Sequence, residues 1–294
     1  MNLTNNDPYF ATIPNVPVTL IPPVKTSDLS AVEQVYDQLD RLENLTLALG
    51  CEDNYVIPPP SYTIPKSFKL SIVVPVYNEE KTIERLLTRL FNLPFRKEII
   101  VVDDCSTDRT QFILQRLEKA PDFTIFYKPR NEGKGAALHT GFALATGNVV
   151  VVQDADLEYD PRDLPALIQP LVEGTADVVY GSRYLGNEQQ DSSWIHRFGN
   201  SSLTWASNTF TGMRISDMET CYKAFRRELI QGIDLKQKRF GFEPEITAKL
   251  ARRKCRVQEV PISYQARSYA EGKKIGVRDL LNTLYCIVRY GICD

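Results

Sequence analysis

Apolar and polar positions recur along the chain with two periods, and the first clear signal begins at Leu70. Leu70–Val76 reads LSIVVPV, a nearly continuous apolar run of the kind made by a strand covered on both faces. Ile83, Leu86, Leu87, Leu90 and Phe91 then fall on one face of a helix, with Asn78 standing where it would cap it. Glu98–Asp103 (EIIVVD) predicts a second buried strand, and Ser106 or Thr107 the cap of a helix ending near Ala120. Thr124–Tyr127 predicts a short strand, Gly135–Thr146 a helix and Asn148–Gln153 (NVVVVQ) a third strongly apolar strand. A helix follows over Asp163–Glu173, interrupted by Pro165 and Pro170, and Val178–Ser182 is again a strand. Strands alternating with helices predict βαβ units, hence an α/β fold with a mainly parallel sheet. Such sheets bind ligands at the carboxyl ends of their strands.

The flanks carry other patterns. Residues 1–27 are proline-rich (Pro8, Pro14, Pro17, Pro22, Pro23) and read as an extended tail. A helix is predicted over residues 28–49, capped by Ser27 or Asp28 and ended by Gly50. Val35, Leu42 and Leu49 recur every seven residues with Val32 and Leu39 between them, a seam that either packs on its own domain or pairs two copies as a homodimer. Residues 51–67, with Pro58, Pro59 and Pro60, read as a linker. Near the other end, Ile275–Tyr290 predicts an amphipathic helix with Leu280, Leu281, Leu284, Ile287 and Val288 on its apolar side and Arg278, Asp279 and Arg289 polar. Such a helix lies in a membrane interface, covers a core or meets a partner. The expected division is an N-terminal extension over 1–67, a main domain over 68–274 and a C-terminal helix over 275–294.

Composition narrows the class. The 294 residues are 43% hydrophobic and 24% charged, as in ordinary globular proteins. A net charge of -2 argues against a general nucleic-acid binder. The N-terminus lacks a basic region followed by an apolar run, and no stretch reaches the roughly 18 apolar residues that span a bilayer. The six cysteines form no CxxC pair and read as reduced thiols of a cytoplasmic protein.

Three predicted strand ends carry acids or a turn: Pro75-Val76-Tyr77-Asn78-Glu79-Glu80, Asp103-Asp104-Cys105-Ser106 and Asp154-Ala155-Asp156-Leu157-Glu158. Two carboxylates one residue apart, just past a buried strand, are placed to share a hard cation such as Mg2+ or Mn2+, which prefers oxygen and often bridges to substrate phosphates. Neither a GxxxxGK[ST] loop nor a GxGxxG after the first strand occurs, which disfavours a P-loop nucleotidase and a dinucleotide enzyme. Asn131-Glu132-Gly133-Lys134-Gly135 is glycine-rich and opens a helix; its amides and Lys134 either meet an anion or simply make a turn.

Taken in order, SIVVPVYNEE, EIIVVDDCSTDRT, NEGKGAAL, VVQDADLEYDP and VVYGSRY resemble the successive motifs of family 2 glycosyltransferases of the GT-A fold. In particular they resemble dolichyl-phosphate mannose and glucose synthases and bacterial polyprenyl-phosphate glycosyltransferases. The likeness runs from about Leu70 to about Tyr290. It implies a nucleotide-diphosphate-sugar pocket at Pro75, Tyr77 and Glu79, with Asp104 near the base and Lys134 and Asp154 on the nucleotide sugar. It also implies a metal motif at Asp154 and Asp156, with Glu158 either a further ligand or outside the coordination sphere. Arg183, in Gly181-Ser182-Arg183 at the close of the fifth strand, and Arg197 resemble the acceptor-phosphate arginines of the lipid-phosphate mannosyltransferases. Lys273 and Lys274 in EGKKIG resemble a stretch that closes near the phosphates. Asp217, in SDMETCYKAF, is the candidate acid at the reacting sugar, or else a structural cap. Asp156, Asp217 and Arg183 are thus the candidate catalytic residues.

The implied reaction moves a hexose to a polyprenyl or dolichyl phosphate with inversion, NEGKG and DMETCYKAF leaning to UDP-glucose over GDP-mannose. A phosphate monoester has a second pKa near ~6, so its oxygen is already a nucleophile at neutral pH, whereas a sugar hydroxyl needs a base. The alternatives are a soluble family 2 glycosyltransferase with a hydroxyl acceptor and a non-catalytic nucleotide-sugar-binding protein. The expected location is cytoplasmic, at the cytoplasmic face of a membrane, through peripheral association.

Overall fold

The structure is a computed structural model that describes residues 55–118, 120–186, 194–266 and 277–292. The predicted helix over 28–49, its heptad seam, and Lys273 and Lys274 lie outside the described residues.

Seven strands form one sheet. They are β1 (Leu70–Val76), β2 (Lys97–Asp103), β3 (Phe123–Tyr127), β4 (Val149–Val152), β5 (Val178–Ser182), β6 (Lys223–Arg226) and β7 (Val257–Pro261). Their order across the sheet is β3-β2-β1-β4-β6-β5-β7. Every pairing is parallel except those of β6, which runs antiparallel to both β4 and β5. Every residue of β1 and of β4 is buried, as their unbroken apolar runs require of strands covered on both faces. The helices between strands are α1 (Ile83–Phe91), α2 (Thr110–Leu117), α3 (Lys134–Leu144) and α4 (Leu164–Val172), the last led in by a 3-10 turn at Pro161–Asp163. Then come α5 (Trp194–Thr211), the short α6 (Arg227–Gln231), α7 (Phe242–Arg252) and α8 (Val277–Ile292). The mainly parallel α/β fold is therefore present, with one reversed strand, β6, inserted from the segment SDMETCYKAF.

Two capping expectations give way to long-range bonds. Asn78 has φ +56° and does not cap α1; its Oδ1 accepts from the Thr107 amide at 2.7 Å. Ser106 Oγ in turn accepts from the Asn78 amide at 2.9 Å. Ser106 and Thr107 are thus used to join the loops after β1 and β2, and Asp108 accepts from the Thr110 amide at the start of α2 instead. Pro165 does not interrupt α4, because it sits in the first turn, where no amide is needed. Pro170 lies inside that helix, and its carbonyl accepts from the Thr175 and Ala176 amides at 2.9 and 3.1 Å.

The segment read as a linker packs on the domain from Tyr55 onward. Ile57 is buried, the Tyr62 hydroxyl donates to Pro165 O at 2.7 Å, and Tyr55 donates to Asp160. The Tyr55 ring lies 4.3 Å from the Arg89 guanidinium and 5.1 Å from that of Arg162.

The sheet end opposite the acid-bearing loops is held by Glu98. Its carboxylate accepts from Ser71 Oγ, from the Thr146 amide and hydroxyl at 2.7 Å each and from the Gly147 amide at 3.0 Å, and it pairs with Lys69 at 2.8 Å. These bonds join β1, β2 and the turn into β4 in one register. Burial works to raise its pKa, but the hydrogen bonds from Lys69, Ser71 and Thr146 outweigh it and lower the value from 4.5 to about 2. Glu98→Ala strips these donors of their acceptor and should cost about 2–4 kcal/mol in urea denaturation at neutral pH. The lowered pKa means that the carboxylate stabilises above its ordinary value and loses that effect as pH falls towards about 2. The stability gap between wild type and Glu98→Gln should therefore shrink on acidification across that window; a constant gap would contradict the assignment.

Candidate active site

Register decides which loops meet. Val73 pairs with Val152 in β4, and Pro75 and Val76 pair with Val102 and Asp103 in β2. The residues after β1, β2 and β4 consequently emerge at one rim. Because β6 is reversed, its preceding loop, with Asp217 and Glu219, starts from that same rim.

On the nucleotide side, Pro75 sits in a central strand without harm, since the β1–β4 pairing ends at Val73 and no ladder bond needs its missing amide there. Tyr77 and Glu79 are half-buried in the following loop, where Glu79 accepts from Thr82 Oγ1 at 2.9 Å and its amide donates to Thr110 Oγ1 at 2.9 Å. Asp104 is buried and engaged inward: it accepts from the Glu132 and Gly133 amides at 3.0 and 2.6 Å and pairs with Lys128 at 3.2 Å. It ties β2 to the NEGKG loop. Its neighbour Asp103 was not among the expected site residues, yet its buried Oδ1 has no hydrogen-bond partner among the described residues. The Asp-Asp doublet was the available signal, and the two positions differ only in which way each side chain turns.

The NEGKG loop is pressed against residues 237–239. A Cβ on Gly133 would meet Lys238 O at 2.6 Å, at a φ of +101°, and one on Gly135 would meet Gln237 O at 2.3 Å. Glycine is therefore needed at both positions. The packing sends Lys134 to the rim, where its ammonium lies 2.9 Å from Asp154 and 3.7 Å from Glu243. Burial works against that charge, but Asp154 leads the groups that overcome it and hold Lys134 well above the ordinary lysine range.

The three acids after β4 turn to different partners. Asp154 takes Lys134, Asp156 accepts from the Glu158 amide at 3.2 Å, and Glu158 accepts from the Tyr264 hydroxyl at 2.8 Å. Among the described residues no three His, Cys, Asp or Glu side chains converge as a ready-made metal cluster. Mg2+ and Mn2+ at phosphate sites ordinarily take only one or two carboxylates and complete their shell with water and phosphate oxygens. The half-buried Asp154 and Asp156 are hard oxygen donors at the rim, and fit a cation shared with a diphosphate rather than a closed protein cage.

On the other side, Arg183 leaves β5 and forms a two-point ion pair with Asp217: Nε to Oδ2 at 2.7 Å and Nη2 to Oδ1 at 2.8 Å. Asp217 is fully buried and also accepts from the Arg183 amide at 3.1 Å and from Asn200 at 3.3 Å. Both its oxygens are thus filled from within. Arg197 is exposed on α5, and the Arg183 and Arg197 guanidinium carbons each lie 5.8 Å from the Tyr184 ring centroid. The two arginines named from the sequence are brought together around one aromatic ring.

Beneath the rim are charges that sequence reasoning missed. Lys223 is fully buried and donates to the Met218 and Thr220 carbonyls. The Glu219 carboxyl is raised by burial first and by the charge of Glu243 second. A lysine opening the apolar strand KAF was the one visible hint.

Residues 71–233 match the model of glycosyl transferase family 2. The chain belongs to that family. It is 32% identical over 225 residues to undecaprenyl-phosphate 4-deoxy-4-formamido-L-arabinose transferase of Pseudomonas aeruginosa (strain LESB58), covering 74% of this chain and 64% of that protein. It is 30% identical over 229 residues to dolichol-phosphate mannosyltransferase of Pyrococcus furiosus, covering 76% and 64%. The chain thus spans 64% of the length of the curated relatives it matches. Glucosyl-3-phosphoglycerate synthase from Mycobacterium tuberculosis, solved with Mn2+, uridine diphosphate and phosphoglyceric acid, superimposes with a TM-score of 0.59 at 21% identity over 79% of this chain and 82% of that one. The fold is that of the GT-A glycosyltransferases.

Removing the Asp217 carboxylate leaves the Arg183 guanidinium without its buried partner. Asp217→Ala should destabilise the protein on the order of 3 kcal/mol in chemical denaturation. A loss below about 1 kcal/mol, the range of exposed ion pairs, would contradict the burial described.

Proposed function

We propose that this chain is an inverting hexosyltransferase that moves a sugar from a nucleotide diphosphate onto a polyprenyl or dolichyl phosphate. The observation that carries the reading is the pairing of two half-sites at one rim: an acid pair past β4, and an arginine pair around Tyr184 past β5. The first suits a diphosphate-bound cation and the second a phosphate, for which guanidinium groups offer a permanent positive charge.

In this account Pro75, Tyr77 and Glu79 shape the nucleotide pocket, and Asp104 organises it by fixing the NEGKG loop. Asp154 and Asp156 would hold Mg2+ or Mn2+, with Glu158 as a further ligand. When bound, the cation stabilises charge on the departing nucleoside diphosphate. Lys134, already poised on Asp154, adds positive charge at the same place. Arg183 and Arg197 hold the acceptor phosphate and orient one of its oxygens, which attacks the anomeric carbon without a base. Asp217 serves by holding Arg183 rather than by taking a proton. Lys273 and Lys274 are assigned to the phosphates by the resemblance of EGKKIG alone.

UDP-glucose is the favoured donor and GDP-mannose the second. Residues 68–274 form the catalytic domain, residues 1–67 an extension and residues 275–294 a helix that meets the membrane. Support for peripheral membrane association comes from exposed apolar side chains on two helices, Phe198 and Trp205 on α5 and Leu281, Tyr285 and Ile292 on α8. No helix among the described residues is long and apolar enough to cross a membrane. The cytoplasmic face of a membrane is the location this reading assigns.

Purified protein given Mn2+, UDP-glucose or GDP-mannose and polyprenyl phosphate should form a lipid-linked hexose. Turnover only on a hydroxyl acceptor would overturn the lipid-phosphate assignment. Asp156→Ala should lower kcat by about 10²–10³-fold, the scale of losing one main electrostatic stabiliser. Arg197→Ala should raise the KM for polyprenyl phosphate by about tenfold, as loss of a charge-assisted contact does, and leave the KM for donor within about twofold. Equal effects on both substrates would contradict its placement on the acceptor side.

A further inference from the structure

Tyr264 lies just beyond β7 and touches both half-sites. Its hydroxyl donates to Glu158 Oε2 at 2.8 Å, and the guanidinium carbon of Arg183 lies 5.0 Å from its ring centroid. We propose that Tyr264 is a positioning residue that fastens the donor-side acid Glu158 to the acceptor-side Arg183, so that cation and acceptor phosphate are held at a set separation. This rests on the reading of Glu158 and Arg183 given above.

The residue is itself tightly fixed. Tyr159 and Tyr264 form a β-bridge, and the Gln265 amide donates to the Glu158 carbonyl at 2.9 Å, so backbone as well as side chain joins the two segments. Its ring meets Tyr159 edge-on with centroids 5.2 Å apart. Tyr159 is held in turn by Tyr222, with ring centroids 4.9 Å apart, and by the Cys221 amide, which donates to its hydroxyl at 3.0 Å. A ring so enclosed cannot swing away from Arg183 without disturbing the acid loop.

A donor to a carboxylate fixes both its direction and its charge, the service that outer partners give to metal-binding side chains. The ring supplies a different service, a π face for the Arg183 guanidinium. The hydroxyl is hydrogen-bonded to Arg183 as well as to Glu158, and the ring adds a second contact to the same guanidinium, so that removing the hydroxyl and then the ring loosens the link in two steps.

The test compares full-length wild type, Tyr264→Phe and Tyr264→Leu by two readouts: calorimetric binding of UDP with Mn2+ in the absence of acceptor, and steady-state KM for polyprenyl phosphate. Tyr264→Phe keeps the ring and loses the hydroxyl. It should weaken the Mn2+-dependent binding of UDP about tenfold, the usual scale for an outer partner of a metal ligand, with the acceptor KM within about twofold of wild type. Tyr264→Leu should show the same loss of Mn2+-dependent binding and, in addition, an acceptor KM raised about fivefold through loss of the cation–π contact. A second variant pair guards against a simple folding defect: adding Tyr264→Phe to Glu158→Gln should cost no further Mn2+-dependent binding, because the hydroxyl acts through that carboxylate. Wild-type Mn2+–UDP affinity in Tyr264→Phe, equal acceptor KM values for the two Tyr264 variants, or additive losses in the double variant would each overturn the proposal. Wild-type protein inactive on polyprenyl phosphate would instead sink the acceptor reading, which the UDP-binding readout does not depend on.

Discussion

Val73 lies opposite Val152, and Val76 opposite Asp103, and from those two facts of register the rest of the site follows. A side chain in a parallel sheet changes face with each residue, so a slip by one position would send the acids after β4 into the helix layer. The register is held at the far end of the sheet, where Glu98, in β2, binds donors from β1 and from the turn into β4. One reversed strand, β6, separates β4 from β5, so the acid loop and Arg183 stand two strand spacings apart, roughly 10 Å at the level of the sheet. Its reversal also delivers the Asp217–Cys221 loop into the gap between them.

Charge at the rim is arranged in advance. Lys134 lies between Asp154 and Glu243, Arg183 is clasped by Asp217, and Lys223 is satisfied by backbone carbonyls. Burying such groups is costly unless they are paired or hydrogen-bonded; Lys134 and Arg183 are ion-paired, and Lys223 donates to two carbonyls. Dipoles and charges already oriented in a partly dry site need little reorganisation when charge moves during a reaction. The acid side and the arginine side differ in how they reach this state. The acids turn towards several partners on different elements, whereas the arginines share one aromatic ring.

Much of this was legible in the sequence, and what was not has a common cause. The bounds of β1 and β5 are those the apolar runs mark, because strands buried on both faces are built mainly from apolar residues. The apolar stripe of α1 was equally clear. Local capping signals misled, since Asn78, Ser106 and Thr107 bind one another across 28 or more residues of chain rather than their own helices. Asp104 was expected near the base and Asp217 at the reacting sugar or as a structural cap, and both spend their oxygens on partners inside the fold. Tyr264 was not singled out at all: its partner Glu158 is 106 residues away, and nothing in the pattern around YQAR marks it. β6 carries no alternation long enough to be recognised, and its place is fixed by antiparallel pairing with both β4 and β5. The types of residue at the rim were thus readable, while their orientation was decided by tertiary pairing.

In the proposed reaction an oxygen of the acceptor phosphate, held by the arginine pair, displaces the nucleoside diphosphate from the anomeric carbon. The most direct measurement uses polyprenyl phosphate labelled with heavy oxygen on its phosphate and a donor of known anomeric configuration, followed by carbon NMR of the lipid-linked product. The account predicts heavy oxygen bonded to the anomeric carbon, with the configuration inverted. An unlabelled oxygen at that carbon, or a retained configuration, would contradict it.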